Sequence, residues 1–229
     1  MLKTRYIEDT LEEIGIDEAG RGCFWGPLVA GAVLWPPAEE WTDDHTNVMK
    51  LIKDSKKISP KKRDKIYDTI CSLASWGVGI VEASDIDRYG ATWANQTAFR
   101  RALDNLYSTH KSENPSRILI DGILPLASTK EGETQLTIID GDAEYLSIAA
   151  ASIVAKVYHD RWLQEWCKEE SHTVDAQRYD LLSCKGYGTA KHRAGILQHG
   201  YTDLHRKLYL RKLLPDIVVE RYLFQDDEL

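Results

Sequence analysis

Two adjacent carboxylates, Asp17 and Glu18, close a short apolar run, Ile14-Gly15-Ile16, and a glycine-flanked cation, Gly20-Arg21-Gly22, follows at once. Carboxylate oxygens suit hard divalent cations. Glycines on either side of an arginine let backbone come close to a ligand, since no side chain blocks the approach. Metal beside an amide-rich turn points to chemistry on a phosphate. Two further acids stand in comparable settings. Asp121 ends the run Ile118-Leu119-Ile120, and Asp142 sits in Gly141-Asp142-Ala143 ahead of a long helical pattern, with Asp140 two residues away as its competitor. Four acids gathered without counter-charge repel one another. One or two Mg²⁺ ions would relieve that repulsion, and a pair about 3.5–4 Å apart can activate a water and stabilise a leaving oxygen in phosphodiester hydrolysis.

The elements that must carry these side chains are legible in outline. Ile14 to Asp17 is predicted as a strand and Leu28 to Trp35 as its apolar neighbour, with Gly26-Pro27 as the turn. Pro36-Pro37 stops the second strand, and the polar residues 38–50 are expected as loop. Ser59-Pro60 predicts a helix start, with serine as N-cap and proline in the first turn; Ile66, Ile70 and Leu73 then share a face. Val78 to Val81 forms a third strand. Residues 92–107 form a helix with Ala98, Ala102, Leu103 and Leu106 inward. Ile118 to Asp121 and Leu136 to Ile139 are short strands, and 144–168 is a long helix striped by Leu146, Ala150, Ile153 and Val157. This alternation predicts a mixed α/β sheet. Asp17 and Asp121 converge at one sheet edge if their strands are neighbours, and Asp142 also suits the N-terminus of the long helix. No linker composition marks a boundary, so 1–229 is expected as one domain: a core over about 14–170, a helical extension over about 171–215 that closes the substrate cleft, and an acidic tail at 216–229.

The string Asp17-Glu18-Ala19-Gly20-Arg21-Gly22 resembles the first signature of the type 2 ribonucleases H, the ribonuclease HII family. Asp54-Ser55-Lys56-Lys57 is similar to that family's Asp-Ser-Lys-Lys block, and Ile118 to Gly122 to its second acidic strand. Gly141-Asp142-Ala143 with Ile148 to Val157 looks like its third acidic site and the helix after it. Lys185-Gly186-Tyr187-Gly188-Thr189 with His192 resembles its late Lys-Gly-Tyr motif, and His205-Arg206-Lys207 its last basic patch. The blocks occur in family order from about residue 14 to about residue 210. The resemblance implies a ribonuclease H-like mixed β-sheet flanked by helices, with a C-terminal helical extension. It implies an endoribonuclease that hydrolyses the RNA strand of RNA–DNA hybrids and cuts 5′ of ribonucleotides embedded in duplex DNA, leaving 3′-hydroxyl and 5′-phosphate ends. It assigns Asp17, Glu18, Asp121 and Asp142 as catalytic metal ligands for Mg²⁺ or Mn²⁺, two ions with substrate bound, and prefers Asp142 to Asp140. It makes Gly20, Arg21 and Gly22 the readers of the 2′-hydroxyl, the group that separates RNA from DNA. Tyr187 stacks on the adjacent deoxyribose, where a bulky 2′-substituent would be penalised. Ser55, Lys56 and Lys57 bind substrate phosphate.

Phe24-Trp25 is bulkier than is usual in the family after Gly-Arg-Gly-Cys and is expected to narrow the cleft or alter junction preference. The pattern from Ile86 to Thr92 is only loosely kept. His192 and His205 are read as packing residues, with phosphate contact as the alternative. The chain has 229 residues, 43% hydrophobic and 28% charged, enough for one sizeable globular domain. A net charge of −7 argues against a generic basic-coated nucleic-acid binder. Two basic islands nevertheless fit a local phosphate groove: 53–63 holds six Lys or Arg against one acid, and 185–212 holds seven against one. Lys61, Lys62 and Arg63 read as a solvated helix face. Four scattered cysteines suggest free thiols rather than a zinc site or disulfides. No long apolar run or signal peptide is present, so no membrane span is expected and the protein is expected to be cytoplasmic. Monomer is the expectation because no long unexplained apolar stripe demands a partner, and nucleic acid is the partner that the resemblance implies. The acidic tail reads as disordered, with a sliding-clamp peptide as the alternative. The rivals are a type 3 ribonuclease H, which typically carries an extra N-terminal substrate-binding domain, a catalytically silent nucleic-acid-binding module, and a DNA-junction nuclease of the same broad fold.

Overall fold

The computed structural model describes residues 2–52, 59–111, 114 and 116–219. The acidic tail from 220 onward lies outside the described residues. Five strands form one sheet: β1 (Glu12–Ala19), β2 (Leu28–Leu34), β3 (Ser75–Val81), β4 (Ser116–Asp121) and β5 (Glu133–Ile138). Their order is β3-β2-β1-β4-β5. β1 pairs antiparallel with β2, and β2 with β3; β4 runs parallel to β1 and to β5. This is the mixed sheet expected from the alternation of elements.

Helices cover both faces, and strand alternation decides which residues meet which helix. Ile14, Ile16, Ala30, Ala32, Ile118 and Ile120 pack on α4 (Ala91–Thr109), through Ala98, Phe99, Ala102 and Leu106. Val33 on the other face packs with the long helix α6 (Leu146–Lys168) and with α1 (Asp43–Ile52) and α2 (Pro60–Leu73). α6 lies against the strands almost backbone to backbone. A Cβ on Gly15 would fall 2.1 Å from the Ser147 carbonyl carbon, and one on Gly31 2.6 Å from the Ala151 oxygen. Glycine is required at both positions, and the run Ala149-Ala150-Ala151 supplies the matching small surface on α6. At the far end of β1, Arg117 of β4 donates to Glu13 at 2.6 Å across two buried side chains, which pins the register of the central parallel pair.

Three local expectations change. Residues 38–50, expected as loop, hold a 3₁₀ turn at Ala38–Glu40 and most of α1. His45, Val48 and Ile52 are its buried face, and Asp43 and Asp44 sit in the first turn, where the helix dipole favours acids. A stripe of three residues in a polar segment is too thin a periodic signal to predict a helix. Ser59 precedes α2 in extended conformation but makes no side-chain cap; Pro60 in the first turn sets the start. Asp142 does not cap α6. It lies inside a separate short helix, α5 (Gly141–Glu144), and Tyr145 holds the N-cap position of α6.

After α6 the chain forms short helices, α7 (Thr173–Arg178), α8 (Leu181–Cys184), α9 (Ala190–His199) and α10 (Lys207–Leu210). They share a cluster with α6 built on Trp25, Leu163, Tyr179, Leu181, Ile196 and Leu210. α3 (Ala83–Tyr89), which the sequence left unassigned, meets this segment: Asp87 accepts the Lys207 and Leu208 N–H groups, each at 2.8 Å. The four cysteines are free thiols, three of them buried. Among the described residues no helix is long and apolar enough to cross a membrane.

Candidate active site

Sheet register, more than any one side chain, brings the acids together. Ile16 pairs with Ile120 across the parallel strands, so the next residues, Asp17 and Asp121, stand side by side on the α6 face. The Asp142 amide donates to Asp121 Oδ1 at 3.2 Å. Glu18, one residue on from Asp17, turns to the α4 face, where the Arg21 guanidinium, 3.5 Å away, supports its charge. Asp17 is buried and backed by the Ser152 hydroxyl of α6. Burial, with the neighbouring charges of Glu18 and Asp121, pushes its carboxyl up to about 8. The Glu18 carboxyl is also raised, chiefly by burial.

An all-carboxylate donor set fits Mg²⁺ or Mn²⁺ in kind. A buried acid raised by its acidic neighbours is a position where a cation restores the charged form. Among the described residues no three His, Cys, Asp or Glu side chains are gathered at ligating spacing. What the fold supplies is the convergence of backbones.

The loop from Gly20 to Pro27 leaves β1 beside these acids. Gly20 has φ of 81° and lies against His159 of α6, whose Nε2 would be 2.7 Å from an added Cβ. Arg21 and Gly22 are exposed, and Cys23 is buried. The late glycine-tyrosine segment docks on this loop: Gly186 O accepts the Phe24 and Trp25 N–H groups at 2.8 and 3.2 Å. Cys23 and Tyr187 form an antiparallel bridge. Tyr187 is therefore held over Gly22, a Cβ on which would be 3.9 Å from the ring, and it stays 40% exposed. Lys156 Nζ lies 5.6 Å from the same ring and 3.0 Å from Asp160. The predicted group Gly20, Arg21, Gly22 and Tyr187 is thus one cluster. Ser55, Lys56 and Lys57 lie outside the described residues.

Several readings are corrected. Trp25 does not narrow a cleft. It is fully buried, edge-on to Trp166 at 4.6 Å and tilted against Trp162 at 5.9 Å. Phe24 turns toward Gly188, where an added Cβ would meet its ring at 2.6 Å. His192 and His205 are buried, as the packing reading expected. The Thr202 N–H donates to His205 Nδ1 at 2.9 Å, so His205 Nε2 carries the proton and donates to His192 Nε2 at 3.1 Å. His192 Nδ1 in turn donates to the Tyr187 carbonyl at 2.9 Å. The basic patch at His205-Arg206-Lys207 is not all surface, because Arg206 is fully buried. Sequence reasoning also passed over Ser152 and Lys156, four residues apart on the α6 face that meets the site; that helical spacing was the available signal.

The histidine relay makes the Tyr187 segment acid-sensitive. Burial, aided by the neighbouring His192, lowers the His205 ring to about 3 from the ordinary 6.5. A depressed histidine stabilises the fold above its unfolded value and loses that contribution as pH falls from there toward its folded value. Between pH 7.5 and 5 the unfolded chain gains this proton and the folded one does not, a loss of about 2 kcal/mol. Relative to His205→Gln, the native protein should lose about 4–8 °C of Tm over that interval, because the raised Asp17 carboxyl stabilises both proteins alike as pH falls. A Tm difference that does not change with pH would refute the relay.

A mixed sheet with Asp17 and Asp121 side by side at the ends of its central parallel strands and a glycine-rich loop beside them fits the class of metal-dependent nucleases. Comparison with known proteins agrees. The family model described as Ribonuclease HII matches residues 14–212. A ribonuclease HII from Fusobacterium nucleatum is 42% identical over 204 residues, covering 88% of this chain and 86% of that protein. One from Prochlorococcus marinus strain AS9601 is 38% identical over 205 residues, covering 88% and 91%. The chain belongs to the ribonuclease HII family and is a metal-dependent type 2 ribonuclease H. Among solved structures, the ribonuclease H2 from Pyrococcus horikoshii OT3 superposes with a TM-score of 0.65 at 22% identity, covering 89% of this chain and 97% of that one. The PCNA:RNase HII complex from Archaeoglobus fulgidus gives 0.61 at 24% identity, covering 86% and 94%. Bst-RNase HIII in complex with Mn²⁺ gives 0.62 at 22% identity, covering 83% and 63%. At these identities the three structures speak to the fold.

Proposed function

We propose that this enzyme cuts 5′ of ribonucleotides embedded in duplex DNA, as well as the RNA strand of longer hybrids, with two divalent ions, Mg²⁺ or Mn²⁺, held by Asp17, Glu18, Asp121 and Asp142. The observation that carries this reading is the register of β1 against β4, which sets Asp17 beside Asp121 a few residues from an exposed loop and an exposed aromatic ring. Bound cations supply an activated water and charge neutralisation at the leaving oxygen. The protein's part is placement. Asp17 and Asp121 share one sheet face, Asp142 is tied to Asp121 through its amide, and Glu18 approaches from the other face. Gly20, Arg21 and Gly22 bind the 2′-hydroxyl, and Tyr187 stacks on the next sugar. Ser55, Lys56 and Lys57 hold phosphate.

In the same reading residues 1–229 act as one catalytic domain, monomeric and cytoplasmic, whose helical part after about 171 closes the substrate cleft. Nucleic acid is the partner. The Archaeoglobus protein was solved with PCNA; for this chain a sliding-clamp peptide in the acidic tail stands as the alternative to a disordered tail without a partner.

The test is a labelled DNA duplex carrying one ribonucleotide, incubated with Mg²⁺ or Mn²⁺. Incision on its 5′ side, leaving a 3′-hydroxyl, is expected. Cleavage of long hybrids alone would show type 3 behaviour instead, and binding without cleavage of either substrate would show a silent binding module.

A further inference from the structure

Arg206 has no exposed surface and, among the described residues, makes no ion pair. A buried charge must be satisfied by polar partners, and its partners are main-chain carbonyls of one loop. Its Nε donates to Gly26 O at 2.9 Å, and its Nη1 to Gly20 O at 2.6 Å and Arg21 O at 3.1 Å. Its own amide donates to Phe24 O at 2.7 Å. Asp87 clamps the two following amides, and the guanidinium lies 5.7 Å from the Tyr209 ring centre. One side chain thus turns three carbonyls of the loop inward, across 180 to 186 residues of sequence.

Those contacts dictate where the loop's donors point. In a trans peptide the C=O of one residue and the N–H of the next are antiparallel. The Gly20 carbonyl faces Arg206, so the Arg21 N–H points away from it. The Arg21 carbonyl does the same, so the Gly22 N–H also points away. Both residues are exposed, and Gly22 sits beneath Tyr187. Two neighbouring amides aimed outward beside an exposed aromatic ring form a donor pair for one oxygen. Lysine could not substitute, because a single ammonium lacks the planar fork that spans these carbonyls.

We propose that Arg206 is a positioning residue for sugar recognition: its guanidinium aims the Arg21 and Gly22 amides at the substrate's 2′-hydroxyl. This rests on the reading that the Gly20-Arg21-Gly22 loop reads the sugar.

The test is binding without metal, by fluorescence anisotropy, of two duplexes that differ only in one 2′-hydroxyl. The native protein should prefer the ribonucleotide duplex about tenfold, the worth of one or two hydrogen bonds. Arg206→Lys should abolish that preference while its affinity for the all-DNA duplex stays within about twofold. An unchanged preference in the variant overturns the proposal. So does a parallel fall in all-DNA affinity and Tm, since that is the mark of a purely structural residue. Absence of any preference in the native protein would instead sink the reading of the loop itself, before any variant is made. Should the variant fail to fold, ¹H–¹⁵N spectra of the native protein decide. The Arg21 and Gly22 amides should shift with the ribonucleotide duplex and not with its all-DNA twin, and equal shifts refute the proposal.

Discussion

Asp121→Asn should reduce metal-dependent cleavage of a single-ribonucleotide duplex at least about 1,000-fold, some 4 kcal/mol of transition-state stabilisation. The physical ground is its place in the site. It stands next to Asp17 across the β1–β4 register, its charge raises both the Asp17 and Glu18 carboxyls, and its Oδ1 takes the Asp142 amide. Asparagine keeps the volume and an oxygen to accept that amide, so the backbone around Asp142 should hold. What disappears is one negative charge that a cation needs. Metal-free stability should therefore be unchanged or higher, because a repulsive neighbour of buried Asp17 has gone. Single-turnover cleavage in Mg²⁺ or Mn²⁺, together with metal-free thermal melts, separates the two effects. A variant retaining a tenth of native activity would remove Asp121 from the metal site. One that loses activity together with about 10 °C of Tm would mean the loss is structural.

Trp25→Ala carries the largest expected cost in stability, about 3–5 kcal/mol for emptying a fully buried indole site. For a chain of this length that is a fall in Tm of about 10 °C or more. The indole fills the cluster between α6 and the C-terminal helices, against Trp162 and Trp166. Its backbone is tied to Gly186, whose φ is 81° and where a Cβ would stand 2.5 Å from the Trp25 oxygen. Emptying this site should loosen the loop that carries Gly20-Arg21-Gly22 as well as the fold. Trp25→Phe should cost much less. It keeps most of the apolar volume and deletes a buried indole N–H for which the described residues provide no acceptor. Equal melting of the Ala and Phe variants would show that the cluster is not what anchors the loop.

Both outcomes bear on how far the molecule could be read before folding. The strands of the acids were legible because each is a short apolar run between glycines or polar residues, and α6 because Leu146, Ala150, Ile153 and Val157 repeat at helical spacing over about three turns. α1 and α3 were not. Their buried faces are three residues long, and their stability comes from packing on α2, α6 and the C-terminal segment rather than from their own pattern. Trp25 was read as a cleft residue from its distance to Gly22 along the chain. Alternation and the Gly26 turn send it the other way, into the cluster beneath α6.

The amino-acid sequence by itself determined the chemistry on offer: four acids in three segments, a glycine-flanked arginine, a late Lys-Gly-Tyr, and the family to which their order belongs. Residue type and local order are properties of the chain. The tertiary structure alone decided which groups face one another. Parallel pairing of β1 with β4 set Asp17 beside Asp121 and turned Glu18 to the opposite face, because strand side chains alternate. Burial converted part of an apparent basic patch into an internal fastener, Arg206, and two histidines into a neutral relay behind Tyr187. Charge, tautomer and direction of approach depend on neighbours brought from as far as 186 residues away, and only folding supplies those.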